Sequence, residues 1–170
     1  EADGGEEHQH RRLAAQQAGG KDDGADRQHR PGQPCAEARQ ALSKGQTDKA
    51  ISLAEGLVAA NPREASYRAL LGQAYLRAGR FESAAQSLND AMKLGDNSAR
   101  TALSLALANV GAGKNREAVA ILDDWRDAIP AADLGLAYAL AGESNRGVAI
   151  LSDSLRSGDN TPKLRQNLAY

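Results

Sequence analysis

Valine and isoleucine occur only four times each in this 170-residue sequence, and the aromatic side chains number six: four tyrosines, Phe81 and Trp125. Sandwiches and barrels draw on β-branched and aromatic residues for their strands, so this scarcity argues against both. Cys35 is the sole cysteine. It can close no internal disulfide and supply no zinc site alone, and it leaves the redox compartment open. No apolar run approaches the roughly 20 residues of a membrane-spanning helix. The opening Glu1-Ala2-Asp3-Gly4-Gly5 lacks the apolar centre of a signal peptide. It also lacks an initiating methionine, which points to a processed or excised piece. Neither sign of charge dominates, with 21 basic against 22 acidic side chains and a formal net charge of -1. No global field therefore recommends nucleic acid or an anionic membrane as a partner. What is plentiful is small and helix-forming: 34 alanines and 20 leucines. The length suffices for one domain with a core.

Residues 1–34 stand apart. Leu13 is their only apolar side chain larger than alanine apart from the prolines, among Gly, Gln, Asp, Arg and all three histidines. Such a segment buries too little surface to offset the entropy of ordering it, which predicts a poorly ordered leader. Within it, His8-Gln9-His10 beside Glu6 and Glu7 offers zinc or nickel ligand types. Nothing in a glycine-rich tail would orient them, so no metal or cofactor is expected.

From Cys35 onward the chain repeats. Gly45, Gly79, Gly113 and Gly142 each precede a short polar stretch and then a small residue, Ala50, Ala84, Ala118 and Gly147. The glycine spacings are 34, 34 and 29. Periods in this range mark helical solenoids. With the glycine counted as position 15, position 8 holds Ala38, Gly72, Ala106 and Gly135, and position 7 holds Glu37, Leu71, Leu105 and Leu134. Position 11 holds Ala41, Tyr75, Asn109 and Tyr138, and position 24 holds Ala54, Leu88, Leu122 and Leu151. Two antiparallel helices joined by a tight turn need a residue tolerant of positive φ where the first helix ends. Small residues at positions 8 and 20 let the axes approach, while large residues at 7, 11 and 24 fill the groove to the next unit. The pattern predicts helices at about 35–44, 48–60, 64–78, 81–94, 98–112, 115–128, 131–141 and 144–157, with a ninth at 162–170. Asn61-Pro62-Arg63-Glu64 and Thr161-Pro162 read as caps followed by first-turn prolines. Trp125, where a small residue is usual, is expected to fill a gap between units.

The stretch Ala65-Ser66-Tyr67-Arg68-Ala69-Leu70-Leu71-Gly72-Gln73-Ala74-Tyr75-Leu76-Arg77-Ala78-Gly79-Arg80-Phe81 resembles a tetratricopeptide-repeat (TPR) motif, and the likeness extends over about residues 31–170. Arg68 stands where that pattern usually has an aromatic. Glu37, Gly147 and Ser154 also depart from it, which puts the packing of the end units in doubt. Residues 160–170 more narrowly resemble the opening of a further repeat in bacterial TPR proteins of the tight-adherence (Tad/Flp) pilus assembly system. The resemblance implies an all-α solenoid of about four hairpins, units about 35–64, 65–98, 99–130 and 131–161, plus a C-terminal helix at 162–170. It implies a right-handed superhelix whose first helices line a concave, peptide-holding surface, and a place in the bacterial cell envelope or periplasm. Cys35 follows no lipoprotein signal and reads as a small packing residue.

On the repeat frame, likeness to the family puts positions 2, 5, 9, 12 and 13 of each first helix on the concave side. The candidate peptide-binding residues are Gln73, Leu76, Arg77, Arg100, Leu103, Leu107, Leu136 and Leu140. Ile129 and Ala132 fall on the same frame. A mainly aliphatic groove with sparse polar anchors suits an amphipathic helix or extended segment. The carboxylate clamp of chaperone-binding relatives is not matched: Cys35, Arg39, Leu70, Arg100 and Ser104 occupy its places, without the asparagines.

Catalysis has no constellation to run on. A nucleophile, a base and an orienting group must converge, yet every histidine lies in the leader. Arg116 and Glu117 read as a solvated helix start, and Asp123-Asp124 as an exposed face. Gly111-Ala112-Gly113-Lys114 lacks the spacing and Ser/Thr of a phosphate loop. A non-catalytic interaction scaffold is therefore the expected function. The rivals are an RNA-binding helical repeat and a metal-dependent hydrolase, and residues 35–170, with 16 basic and 15 acidic side chains, supply no basic stripe for the first. The sequence stops at position 9 of a fifth unit, which favours self-association through an exposed terminal helix.

Overall fold

The computed structural model describes residues 32–158 and 161–168. Residues 1–31, which hold most of the expected leader (1–34) and all three histidines, lie outside the described residues, while its last two, Gln33 and Pro34, belong to a helix. Nine helices follow one another among the described residues: α1 (Gln33–Ser43), α2 (Thr47–Ala60), α3 (Ala65–Arg77), α4 (Phe81–Lys93), α5 (Ala99–Gly111), α6 (Asn115–Asp124), α7 (Ala131–Leu140), α8 (Ser144–Arg156) and α9 (Pro162–Leu168). No strand occurs among the described residues. From Pro34 on they form one compact unit.

Each hairpin closes in the same way. Gly45, Gly79, Gly113 and Gly142 have φ of 72°, 72°, 74° and 92°, the left-handed conformation that glycine adopts without steric cost. In each turn the residue after the glycine donates its N–H to the carbonyl five positions back: Gln46 to Ala41, Arg80 to Tyr75, Lys114 to Asn109 and Glu143 to Tyr138, at 2.8–2.9 Å. This six-to-one bond satisfies a carbonyl that the ending helix would otherwise leave bare. The four turns are thus one design used four times.

Small residues sit where the helices cross. Ala38, Ala50, Ala84, Ala106 and Ala118 are buried, as are Gly72, Gly135 and Gly147. Leu71, Leu88, Leu105, Leu122, Leu134 and Leu151 fill the spaces between units. Successive hairpins stack so that α3 meets α5, α5 meets α7 and α7 meets α9, leaving one row of first helices side by side. The short α9 packs on α7 and α8. Leu164 is wholly buried with Ala132 and Leu151, and Asn167 Nδ2 donates to the Ala132 carbonyl at 2.7 Å.

The structure corrects the sequence reading locally. α1 starts at Gln33, two residues early, because Pro34 is tolerated in a first turn, where its missing N–H has no intrahelical partner anyway. α6 ends at Asp124 rather than near residue 128. The following turn carries Ile129 into the core, and the half-buried Trp125 packs against that core, so it does fill a gap. Asn61 does not cap α3. Asn61-Pro62-Arg63 forms a turn, and the cap is Glu64, whose carboxylate accepts from the Ser66 N–H at 3.3 Å. Thr161 does cap, accepting from Leu164 N at 3.3 Å. Arg68, out of place by motif, pairs with Asp90 at 3.2 Å and donates from Nε to the Pro62 carbonyl at 3.0 Å, tying the turn between units to α4.

Candidate functional site

The first helices α1, α3 and α5 enclose an open cavity of about 660 Å³. Helical periodicity decides its lining: Arg39, Leu42 and Ser43 come from α1, Ser66, Ala69, Leu70, Gln73, Leu76 and Arg77 from α3, and Arg100, Thr101 and Ser104 from α5, with Asp96 and Ser98 from the preceding turn. Four of the expected binding residues, Gln73, Leu76, Arg77 and Arg100, therefore meet in one place. The other four do not line it. Leu103 and Leu107 are half-buried against the core formed by α5, α6 and α7. Leu136 is half-buried on α7, and Leu140 is 52% exposed near the end of that helix. Ile129 and Ala132, also on the expected face, are buried and do not line the cavity.

Charge in the cavity is uneven. Arg77 spends one N–H on the Leu42 carbonyl at 2.9 Å, which holds its guanidinium across the gap between α3 and α1. Arg39 and Arg100 have no ion pair or hydrogen bond among the described residues. The single carboxylate is engaged locally: Asp96 accepts from the Thr101 hydroxyl at 2.6 Å and the Ser98 N–H at 3.0 Å. Burial works against its charge, but these donors prevail and hold the acid below the ordinary carboxylate value. Ser98 in turn caps α5, its hydroxyl accepting from Thr101 N at 3.3 Å. Arg39 and Ser104, read in the sequence only as places in an incomplete clamp, belong to the cavity. Asp96 and Ser98 were not anticipated, because they precede the helix whose face the frame describes.

A second polar cluster lies between α6, α7 and α8. The Tyr138 hydroxyl donates to Asp123 Oδ1 at 2.6 Å, Arg146 also donates to that oxygen, and the Arg146 guanidinium lies 4.2 Å from the centre of the Tyr138 ring. Burial and the bond to Asp123 push the Tyr138 phenol up to about 12. Arg146 and then Tyr138 hold the Asp123 acid below its usual value. An equivalent pair joins the first two hairpins, where Tyr75 donates to Glu55 Oε1 at 2.7 Å. In both, a position-11 tyrosine fastens to a position-25 carboxylate of the preceding unit. These groups are consumed in stacking. Among the described residues no three His, Cys, Asp or Glu side chains are gathered to hold a metal, and no helix is long and apolar enough to cross a membrane.

The architecture defines a class: the chain is an all-α solenoid with the tetratricopeptide-repeat fold. The family described as anaphase-promoting complex, cyclosome, subunit 3 matches residues 43–125, just under half of the chain. Among solved structures, a thermophilic TPR protein of Thermus thermophilus is 23% identical with a TM-score of 0.67, over 78% of this chain and 76% of its own. MamA is 22% identical with a TM-score of 0.60, over 77% of this chain and 80% of its own. At these identities the likeness carries the fold. No curated protein matches the sequence.

Proposed function

We propose that this protein is a non-catalytic scaffold that holds a peptide or helical segment of a protein partner in its concave groove. The observation that carries the reading is the cavity enclosed by α1, α3 and α5, which gathers Gln73, Leu76, Arg77 and Arg100 from separate repeats. A stack of hairpins has no single deep core pocket, and its open concave side gives a partner access to one face of several units at once. The aliphatic Leu103, Leu107, Leu136 and Leu140 extend the proposed surface toward α7. A place in bacterial envelope or pilus assembly belongs to the same proposal and rests on the resemblance of residues 160–170. Self-association through α9 is a further part of it, and would register as a concentration-dependent mass in sedimentation.

The test is a photo-crosslinking residue at position 73, centred on α3 in the groove, against one at Glu82 on α4. Crosslinks to a partner from position 73 and not from 82 are expected. Equal crosslinking from both positions would rule out the groove as the binding face.

A further inference from the structure

The groove lining is predominantly cationic among its charged groups. Of the residues lining it, three are arginines and one is a carboxylate. Asp96 is held by Thr101 and Ser98, whereas Arg39 and Arg100 have no bonding partner among the described residues and Arg77 uses one of its donors on a backbone carbonyl. Guanidinium carries five N–H donors in a planar fork that matches a carboxylate in bidentate geometry. Three arginines elsewhere are paired, Arg68 with Asp90, Arg146 with Asp123 and Arg156 with Asp153, while Arg63, Arg116 and Arg165 stand singly on the exposed surface and do not converge. In the groove, three helices from successive repeats each direct one arginine to the same space, and the one acid there, Asp96, forms no ion pair with them. Between them lie Leu42, Ala69, Leu70 and Leu76, which offer apolar contact and no hydrogen bonds.

Resting on the reading of the groove as the binding face, we infer that its occupant is an acidic peptide segment, recognised by side-chain carboxylates spaced along an extended chain with apolar residues between them. Arginines on three parallel helices address acids at separate points along the occupant, not one terminal carboxylate, and the groove lining supplies no asparagines to fix a chain end. A single-stranded nucleic acid would also bring negative charge. It would want aromatic platforms on which to stack its bases, and no aromatic side chain lines the cavity.

The test is fluorescence anisotropy with the full chain and a labelled ten-residue peptide alternating glutamate and leucine, amidated at its C-terminus. Binding that weakens with salt is expected. Arg39→Gln, Arg77→Gln and Arg100→Gln should each weaken it about 3-fold, the size of an exposed ion pair, and the triple variant about 30-fold. Arg116→Gln, on the exposed start of α6, should leave it unchanged. A glutamine-for-glutamate peptide that binds equally well, or triple-variant binding equal to wild type, overturns the acidic assignment and leaves the groove reading standing. Binding that requires a free C-terminal carboxylate overturns recognition by side chains. A decamer of uridylate that binds more tightly than the acidic peptide and loses affinity in the triple variant overturns the peptide in favour of nucleic acid. Failure of every probe overturns the inference, and the crosslinking at position 73 then decides separately whether the groove binds anything.

Discussion

Replacing Gly147 with alanine sets two effects of opposite sign against each other. Gly147 lies in the first turn and a half of α8, where alanine is favoured over glycine by roughly 0.8–1 kcal/mol in helix propensity. A Cβ at this position would sit 2.5 Å from the Gly135 carbonyl oxygen of α7 and 3.2 Å from both Cβ and N of Ala139. The obstacle is mainly backbone, so no side-chain rotation relieves it. The two helices must move apart, loosening Leu151 and Tyr138 beside them. Overpacking of this kind costs about 1–3 kcal/mol, and a backbone contact argues for the upper end. The balance is a net destabilisation of about 2 kcal/mol. For a domain of this size that lowers the melting temperature by roughly 7 °C. Gly56→Ala in α2 is the matched control. It is a helical glycine with nothing within 4 Å of the added atom, so it receives the propensity gain alone and should stabilise by about 0.8 kcal/mol. Both are measured by urea denaturation followed at 222 nm. A Gly147→Ala protein as stable as wild type would mean that α7 and α8 do not approach as described, and the account of small residues at positions 8 and 20 would fall with it.

Tyr138→Phe removes the hydroxyl that joins α7 to Asp123 while keeping the buried ring, and should cost about 1 kcal/mol in urea denaturation; no loss would show the bond to be dispensable. Alkaline titration followed by phenolate absorbance should show a step near 12 that disappears in the same variant. Because that folded value lies above the ordinary 10.0, the stability tied to the neutral phenol is complete below that ordinary value and is lost as pH rises through about 12. Asp96 and Asp123 behave in the opposite sense. Their folded values lie below 3.8, so the stability they provide is present above that pH and is lost as pH falls through the lower folded values. An Asp96→Asn, Asp123→Asn double variant should therefore lose less stability than wild type between neutral and strongly acid pH. Equal acid slopes would show that neither charge is favoured by folding.

The parts of this fold that sequence made legible are those where backbone geometry leaves little choice of residue. A left-handed turn admits glycine, a close helix crossing admits glycine or alanine, and both recur at fixed distances, so Gly79 with Gly72 and Ala84 announces a hairpin. Caps were less legible because several residues can do the work. Asn61 and Glu64 are both able to accept from free N–H groups, and the chain uses the second because Pro62 turns the backbone before the helix begins. The fastening of Tyr138 to Asp123 was not legible at all. Its partners lie on three helices, and although Tyr138 holds the large-residue position 11, nothing in the repeat marks Asp123 or Arg146, so only their three-dimensional approach reveals them. Helical periodicity put Gln73, Leu76, Arg77 and Arg100 on one face, and they line one cavity. Ile129 and Ala132, on the same frame, are instead packed into the core.

Tyrosine fastenings join the first hairpin to the second and the third to the fourth, but the middle joint has none among the described residues. There position 11 is Asn109, whose amide turns back to the Leu105 carbonyl of its own helix at 3.0 Å. That joint is held by apolar packing, with Leu88, Leu105 and Ala108 at its centre. Contacts of this kind have no preferred direction, so this joint is set by the fit of apolar surfaces, without the directional polar bond that the other two carry. The arginine-lined cavity straddles this joint, with Arg77 on one side and Arg100 on the other. The distance between these two cations is therefore fixed by how leucines and alanines interlock, so a substitution in that apolar seam would re-space the charges without touching either one.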